Sequence, residues 1–312
     1  MTEIWSIPLA TIVLAQTAVL ATSVYLHRAL AHRALVVHPI ADVLFRAALW
    51  LTTGLSRQQW VAVHRKHHAF TDRDGDPHSP RLQGIWHIQI LNAYYYMREA
   101  RDPETLRKFA SDLPEDRLDR WAFGWGWCGI SLGTTLLCLV LGLWPGLIAA
   151  AAHAVLYVFV LAPLINGLGH WRGAQNFASN TAYNSRVLAW LTAGESLHNN
   201  HHAHPRAPKF SMGRFEFDPS WLLIRTLERL RLLCIQAIAS HLGPPPLGPP
   251  RKGQGNASER VGRSARRFHP LSRMSRAFWR CQSRLASVSR LSWSFLPVAR
   301  ASLSLARPRL LK

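Results

Sequence analysis

The chain has 312 residues, of which 48% are apolar and 17% are charged, and its formal charge is +20. The charged fraction is low for a soluble protein, and the length allows one or two domains. The positive charge is concentrated in residues 241–312, which hold 15 Lys or Arg and one acid. We expect no nucleic-acid partner for this protein.

The first apolar segment, Ile4 to Leu26, is 23 residues long and contains no ionised side chain. That length is sufficient to cross a bilayer as a helix. A signal peptide is the competing interpretation, but it would begin with basic residues, whereas only Thr2 and Glu3 separate Met1 from this segment. We therefore expect a membrane anchor here.

The second apolar segment, Pro39 to Leu55, contains Asp42 and Arg46. Residues four apart lie on one face of a helix, so these two side chains are expected to pair. Because ionised side chains are costly at bilayer depth, we expect an interfacial or re-entrant helix here and not a full span.

Two further apolar segments, Trp121 to Leu143 and Leu147 to Leu168, are separated only by Trp144, Pro145 and Gly146. So short a break predicts two membrane-spanning helices in a hairpin that returns to the side it left. Together with the first segment, they give three predicted spans.

The remaining segments are polar or mixed. Asp72 to Arg120 is charged and contains an aromatic run, Tyr94 to Tyr96, and an amphipathic stretch extends from Pro219 to Leu233. From His241 the sequence HLGPPPLGPP is typical of a linker. We therefore expect one domain over residues 1–240.

The predicted tail, residues 241–312, is basic and rich in Pro, Gly, Arg and Ser. Such composition is typical of a disordered, solvated extension. Binding of anionic membrane lipids by its positive charge is the alternative.

Histidine is the anomaly of this composition, because many of the 16 copies cluster in four groups. The groups are HRALAH, HRKHH, NGLGH and HNNHH, and they lie in polar segments or at the ends of apolar ones. The candidate ligands in them are His27, His32, His64, His67, His68, Asn166, His170, His198, His201 and His202.

Helix geometry explains the spacing within these groups. At about 100° per residue, positions i, i+3 and i+4 share one face, so each HxxHH group is expected to present three imidazoles to a single point. Asn166 and His170 also share a face. His27 and His32 are about 140° apart, which requires either a frayed helix end or two different metals as targets.

Imidazole binds iron, copper, zinc and nickel through a neutral ring nitrogen. Nine histidines exceed the four ligands of a tetrahedral zinc site and suffice for two redox metals with open positions for dioxygen. Lone histidines such as His38, His87 and His153 are expected to be surface or packing residues. A metal transporter is the alternative from another class, but transporters place their ligands inside the spans.

These motifs resemble the membrane fatty acid desaturase family, specifically its stearoyl-type, delta-9-like branch, which carries HxxxxH, HxxHH and HxxHH in this order. WVAVHRKHHAFTDRDGDPHSP is similar to the second box of that family with its Asp-Pro-His segment, and GESLHNNHHAHP is similar to the third box. FEFDPSWLLIRTLERLRL is similar to the helix that follows in bacterial members. The resemblance covers roughly residues 20–235.

The resemblance implies an all-α integral membrane protein with a few transmembrane helices and a cytoplasmic helical cap that carries a di-iron site. The nine histidines match the histidine ligands of two iron ions, and Asn166 matches an asparagine that reaches iron through a water. Asp72, Asp76 and His78 would orient ligand imidazoles. Trp60 would line the acyl channel or pack beside the second box.

One metal site requires all four groups on one side of the membrane. Basic residues accompany the boxes, so the positive-inside rule places the site in the cytoplasm, and a bacterial inner membrane is expected. Many family members have two spans before the first box, whereas this chain has room for one.

The resemblance implies a desaturase that uses dioxygen and two electrons to insert a cis double bond into a saturated acyl chain, carried by coenzyme A or by a membrane lipid. The sequence shows no flavin, nicotinamide or cytochrome b5-like motif, so the electron donor is expected to be a separate ferredoxin-, rubredoxin- or cytochrome b5-type protein with its reductase. A related di-iron membrane hydroxylase of alkyl or acyl chains is the alternative.

Overall fold

The computed structural model describes residues 2–236, so the predicted tail lies outside the described residues. Within them the chain is helical apart from one pair of short strands. The α-helices are α1 (Thr2–Ala21), α2 (Pro39–Thr52), α3 (Arg57–Phe70), α4 (Pro80–Gln83), α5 (Ile85–Ala100), α6 (Pro103–Phe109), α7 (Gly126–Leu141), α8 (Leu143–Val155), α9 (Ala162–Asn166), α10 (Arg186–Leu191), α11 (His198–Ala203) and α12 (Pro219–Arg229). The π-helical segments are Thr22–Ala31, Asp119–Phe123 and Leu156–Leu161, a 3₁₀ turn spans Leu168–His170, and the strands are β1 (Leu35–Val37) and β2 (Leu233–Ile235).

Two stretches of the described chain are long and apolar enough to cross a membrane, Trp5–Ala31 with 27 residues and Leu143–His170 with 28. They correspond to the first and last predicted spans. The predicted span Trp121 to Leu143 is helical as α7 over only 16 residues. That helix is about 24 Å long, which is shorter than the roughly 30 Å hydrocarbon core of a bilayer.

The predicted hairpin of α7 and α8 is present, but its turn lies earlier than expected. Gly142 makes the turn with a φ of 91°, a conformation that favours glycine. Trp144, Pro145 and Gly146 form the first turn of α8 instead, because proline is well accommodated at a helix N-terminus.

Helix α2 packs directly against α7 through glycines. A Cβ atom on Gly129 would lie 2.3 Å from the Trp50 carbonyl oxygen, and one on Gly133 would lie 2.3 Å from the Leu51 carbonyl oxygen. At the end of α2, Nε2 of His153 donates a hydrogen bond of 2.9 Å to the Thr52 carbonyl oxygen. The C-terminus of α2 is therefore satisfied by a side chain from within α8, as backbone surrounded by apolar helices requires.

The predicted pair of Asp42 and Arg46 is confirmed, with a nitrogen–oxygen distance of 3.3 Å. The Arg46 guanidinium, which is buried, also contacts Asp116 at 2.8 Å and Asp119 at 2.6 Å. A second guanidinium, from Arg57 at the start of α3, contacts Asp119 at 2.7 Å. This network joins α2 and α3 to the segment that precedes α7.

The C-terminal part of the described chain holds the end of the first helix in place. β1 and β2 pair antiparallel, with Leu35 opposite Ile235. Behind the strands, Val24, Ile224 and Leu233 form a buried apolar cluster. The amphipathic stretch predicted after Pro219 thus packs against the π-helical segment that carries the first histidine group.

Candidate metal centre

The nine histidines of the four sequence groups come together in two clusters. Cluster 1 contains His27, His32, His64, His68 and His201, and cluster 2 contains His67, His170, His198 and His202. Within each cluster the candidate ligand nitrogens lie within 4.8 Å of one another. The clusters adjoin, because the rings of His68 and His202 stack with their centroids 4.3 Å apart.

The ring nitrogens within each cluster have the spacing of neighbouring ligands on one metal ion. In cluster 1 the Nε2 atom of His201 lies 3.0 Å from that of His27 and 2.9 Å from that of His68. In cluster 2 the Nε2 atom of His170 lies 3.1 Å from that of His67 and 3.0 Å from that of His198. Ligands at right angles on a metal with bonds of about 2.1 Å would be about 3.0 Å apart. The donor set fits two first-row transition metals.

Each HxxHH box divides its histidines between the two clusters, so the expectation of a single focus per box is wrong. In α3, His64 and His68 point to cluster 1 and His67 points to cluster 2. In the third box, in α11, His198 and His202 point to cluster 2 and His201 points to cluster 1. The reason is geometric: i and i+4 are only about 40° apart around a helix, whereas i+3 and i+4 are about 100° apart.

His27 and His32 lie in the same cluster, which disagrees with the sequence-based alternative of two different metals for this pair. Residues Thr22–Ala31 form a π-helix, and the His32 N–H donates to the His27 carbonyl oxygen at 3.0 Å. An i→i+5 repeat brings residues five apart to one face, with ring centroids 4.9 Å apart.

Five imidazoles of the centre are held in the neutral form that binds metal. Burial, reinforced by the neighbouring imidazoles, lowers the pKa of His64, His198 and His201 well below the ordinary value of 6.5. The same causes act on the pKa values of His68 and His202. A neutral ring keeps one nitrogen lone pair available to a metal.

Two carboxylates that the sequence singled out contact imidazoles of the clusters. Nδ1 of His67 donates to Asp76 at 2.9 Å, and Nδ1 of His170 donates to Asp72 at 3.1 Å. Burial would raise the pKa of Asp72 and of Asp76, but the hydrogen bonds and charges of the two histidines outweigh it and lower both pKa values. Each ionised carboxylate keeps the proton on Nδ1 and leaves Nε2 free.

A third carboxylate, Glu195, was not found by sequence reasoning. It lies 2.6 Å from Nδ1 of His27 and is buried. The guanidinium of Arg28, also buried, lies 3.6 Å from Glu195 and 3.0 Å from Asp218. Burial would raise the pKa of Glu195, but His27 and Arg28 outweigh it and lower the pKa. In the sequence it appears only as an acid three residues before the third box, and its burial is visible only in the structure.

The other predicted residues lie around the same centre. Trp60 stacks on His64 with centroids 4.8 Å apart, and it also lines both cavities described below, so both sequence-based roles are compatible with its position. His78 stacks on His67 at 4.8 Å, and no side-chain hydrogen bond to a ligand imidazole is described for it. Asn166 donates from Nδ2 to Asn92 Oδ1 at 3.0 Å and lines the same pocket as histidines of both clusters.

One cavity is lined by histidines of the clusters, and a second cavity shares part of its wall. The metal-side pocket, of about 90 Å³, is lined by histidines of both clusters, among them His27 and His67. The long cavity, of about 720 Å³, is lined mainly by apolar residues of α1, α2, α5, α7 and α8. The residues that line both are Trp60, Tyr96, Tyr157, Ala162 and Asn166.

The sequence profile of the fatty acid desaturase family matches residues 3–215. An sn-2 palmitoyl-lipid 9-desaturase from Nostoc sp. is 33% identical over 175 residues, which are 55% of this chain and 61% of that protein. An sn-1 stearoyl-lipid 9-desaturase from Synechocystis sp. is 28% identical over 207 residues, 66% of this chain and 64% of that protein. Delta-9 acyl-lipid desaturase 2 from Arabidopsis thaliana is 31% identical over 230 residues, 68% and 69% of the two chains.

The matched region contains all four histidine groups and both long apolar helices. The chain spans less than two thirds of the length of the two bacterial relatives. The match to the family profile covers about two thirds of this chain, and it includes every residue of the two clusters. The chain therefore belongs to the fatty acid desaturase family.

Proposed function

We propose that this protein is a delta-9-like acyl desaturase that inserts a cis double bond into a saturated acyl chain with dioxygen and two electrons. The observation that carries the proposal is the junction between the metal-side pocket, which histidines of both clusters line, and an apolar cavity of about 720 Å³ that shares five wall residues with it. That volume lies within the usual range of 300–1,000 Å³ for small-molecule sites. Three relatives named as 9-desaturases or delta-9 desaturases support the regiochemistry.

We assign the nine histidines of the two clusters as ligands of two iron ions, with Asn166 beside them on the wall of the metal-side pocket. Bound there, iron supplies the oxidising power that an unactivated C–H bond requires. The protein supplies the ligand geometry: Glu195, Asp72 and Asp76 hold the Nδ1 protons of His27, His170 and His67, which directs each Nε2 lone pair inward.

The long cavity is assigned to the acyl chain. Its apolar walls exclude water and hold the chain in one orientation. Of the many similar methylenes in the chain, only those at one position are then held where they can react. Trp60 lies at the junction with the metal-side pocket and would fix the reacting carbons beside the clusters. The names of these three relatives favour a lipid-bound acyl group over acyl-coenzyme A.

We further propose an integral protein of a bacterial inner membrane with its metal centre facing the cytoplasm. The exposed apolar side chains of α7 and α8, such as Leu139, Val140 and Trp144, support contact with lipid. Electrons would come from a separate ferredoxin-, rubredoxin- or cytochrome b5-type donor with its reductase.

Expression of the full chain in a host that lacks this desaturation, followed by mass spectrometry of its acyl chains, tests the proposal. A product that has lost two hydrogens, with the double bond at carbon 9, is the expected result. A product that has gained oxygen would instead identify a hydroxylase. Purified protein that desaturates with a nicotinamide cofactor alone would contradict the separate electron donor.

We also propose that residues 1–240 contain the whole catalytic domain. Truncation after Leu242 should leave the yield of unsaturated product unchanged, since the matched region ends at residue 215. Loss of product from the truncated chain, at equal protein level in the membrane, would assign a role to residues 243–312.

A further inference from the structure

Two polar atoms at the metal-side pocket have no hydrogen-bond partner among the described residues: the hydroxyl of Tyr96 and Nδ1 of His78. Both side chains line this pocket. Buried polar groups are nearly always hydrogen-bonded to protein or to ordered water. Two unsatisfied atoms on one small pocket indicate a partner that occupies the pocket itself.

The pocket has the size and the lining for water. A volume of about 90 Å³ exceeds by several-fold the roughly 10–15 Å³ that one buried water requires. Thr22, Asn166 and Glu195 add further polar groups to its wall, and a buried water needs two to four such partners. An acyl chain in this pocket would leave both atoms unsatisfied.

Tyr96 lies where water and acyl chain would meet. It lines the metal-side pocket and the long cavity alike. One turn before it on α5, Asn92 accepts the hydrogen bond from Asn166, which is itself a wall residue of this pocket. Two residues on this face of α5 therefore lie at or beside the pocket wall. Burial raises the pKa of the Tyr96 hydroxyl, which keeps it protonated as a hydrogen-bond donor.

We propose that the metal-side pocket holds ordered water bound by the Tyr96 hydroxyl and His78 Nδ1, and that Tyr96 positions this water as the proton source for dioxygen reduction. The proposal rests on the function proposed above. In each turnover one dioxygen takes two hydrogens from the acyl chain, two electrons from the external donor and two protons, and gives two waters. Two C–H bonds and the O–O bond break, and a second carbon–carbon bond and four O–H bonds form. The positioned water delivers the two protons and is reprotonated from solvent.

The first test compares the thermal stability of Tyr96→Phe with that of Tyr94→Phe, two identical changes on one helix. Tyr94 is 59% exposed, so its variant is the matched control. A dry pocket would leave the Tyr96 hydroxyl unsatisfied, and its removal would then raise the melting temperature. We expect the melting temperature of Tyr96→Phe to be unchanged or lower than that of the wild type, and a clear increase would overturn the proposal.

The second test follows protons directly in the full-length enzyme with its electron donor. Because a positioned proton donor contributes about 10²-fold or more, Tyr96→Phe should lower turnover by that order. It should also increase the hydrogen peroxide released per double bond and change the solvent deuterium isotope effect. Tyr94→Phe should match the wild type in all three. An unchanged peroxide ratio and isotope effect in Tyr96→Phe would overturn the proposal.

The two proposals fail in different ways. If the wild type forms no double bond in any acyl chain, the proposed function is wrong. If the wild type desaturates and Tyr96→Phe does so with unchanged coupling, the function stands and the water assignment is wrong. A density map of the full chain that shows ordered water within hydrogen-bond distance of Tyr96 would support the assignment, and a map of sufficient detail without it would refute it.

Discussion

The metal-side pocket and the long cavity share five residues but are built in opposite ways. The wall of the pocket is held by polar contacts between distant segments, such as that of His27 with Glu195, 168 residues away. The cavity is held by apolar contacts between helices, with few polar atoms on its surface. Polar contacts fix directions, whereas apolar contacts fix shape. We therefore expect changes in the pocket to remove the reaction and changes in the cavity to alter which acyl chains react.

The largest effect is expected from His67→Ala. His67 lies in cluster 2 and its ring contacts those of His170 and His202, so its loss removes a ligand nitrogen that no neighbour replaces. Acyl analysis of expressing cells should show no unsaturated product. The control is His87→Ala, an exposed histidine on α5, which should retain wild-type yield. Normal yield from His67→Ala would contradict the assignment of the ligands.

A smaller loss is expected from Glu195→Gln. The change keeps the shape of the side chain but removes the charge that holds the Nδ1 proton of His27, and losses of such partners typically cost about 10–100-fold in metal affinity or activity. Iron content after purification and product yield should both fall. Glu228→Gln, at a site on α12 whose carboxylate pairs with the exposed Arg225, is the matched control. Full iron content in Glu195→Gln would show that this carboxylate is dispensable.

A change at the far end of the long cavity should alter selectivity without loss of chemistry. Ala10 lines the cavity and is 17 residues from His27, or about 25 Å along the helix. Ala10→Phe should fill that end and shift the products toward shorter acyl chains. The control is Leu9→Phe, since Leu9 is 65% exposed on the same helix. An unchanged chain-length profile in Ala10→Phe would show that the acyl chain does not reach this end.

The smallest effect is expected outside both cavities. Asp112 accepts from Arg33 at 2.6 Å and also contacts Arg65. Burial would raise the pKa of Asp112, but the two guanidinium groups outweigh it and lower the pKa to about 2, from an ordinary 3.8. Because the folded pKa is below the unfolded one, the carboxylate stabilises the fold above about pH 4 and loses this effect as the pH falls toward 2.

Asp112→Asn should therefore melt at a slightly lower temperature than the wild type at pH 7, and the difference should shrink between pH 4 and pH 2. Melting curves of the purified proteins across that range provide the measurement. Asp74→Asn, an exposed acid in the turn after α3, should show no such pH dependence. A difference for Asp112→Asn that stays constant with pH would exclude the ionised carboxylate as its cause.

Much of the centre could be predicted from the sequence, because the spacing of the histidines reports on helix faces. The i,i+4 pairs of both boxes, such as His64 with His68, do share a cluster. The sequence could not show to which cluster the middle histidine of each box, His67 or His201, belongs. That depends on where the second cluster lies, which helix periodicity does not determine. Glu195 could not be found either, because nothing near it in sequence shows that it meets His27, which is 168 residues away along the chain.

The sequence by itself determined the apolar segments, the four histidine groups and the pairing of Asp42 with Arg46, because all of these depend on residues close together in the chain. Only the tertiary structure decided which histidines share a cluster. That outcome depends on the π-helical repeat before His32 and on contacts such as His27 with His201, which are 174 residues apart. Helix periodicity acts locally, whereas a metal site is completed by segments that meet only when the chain has folded.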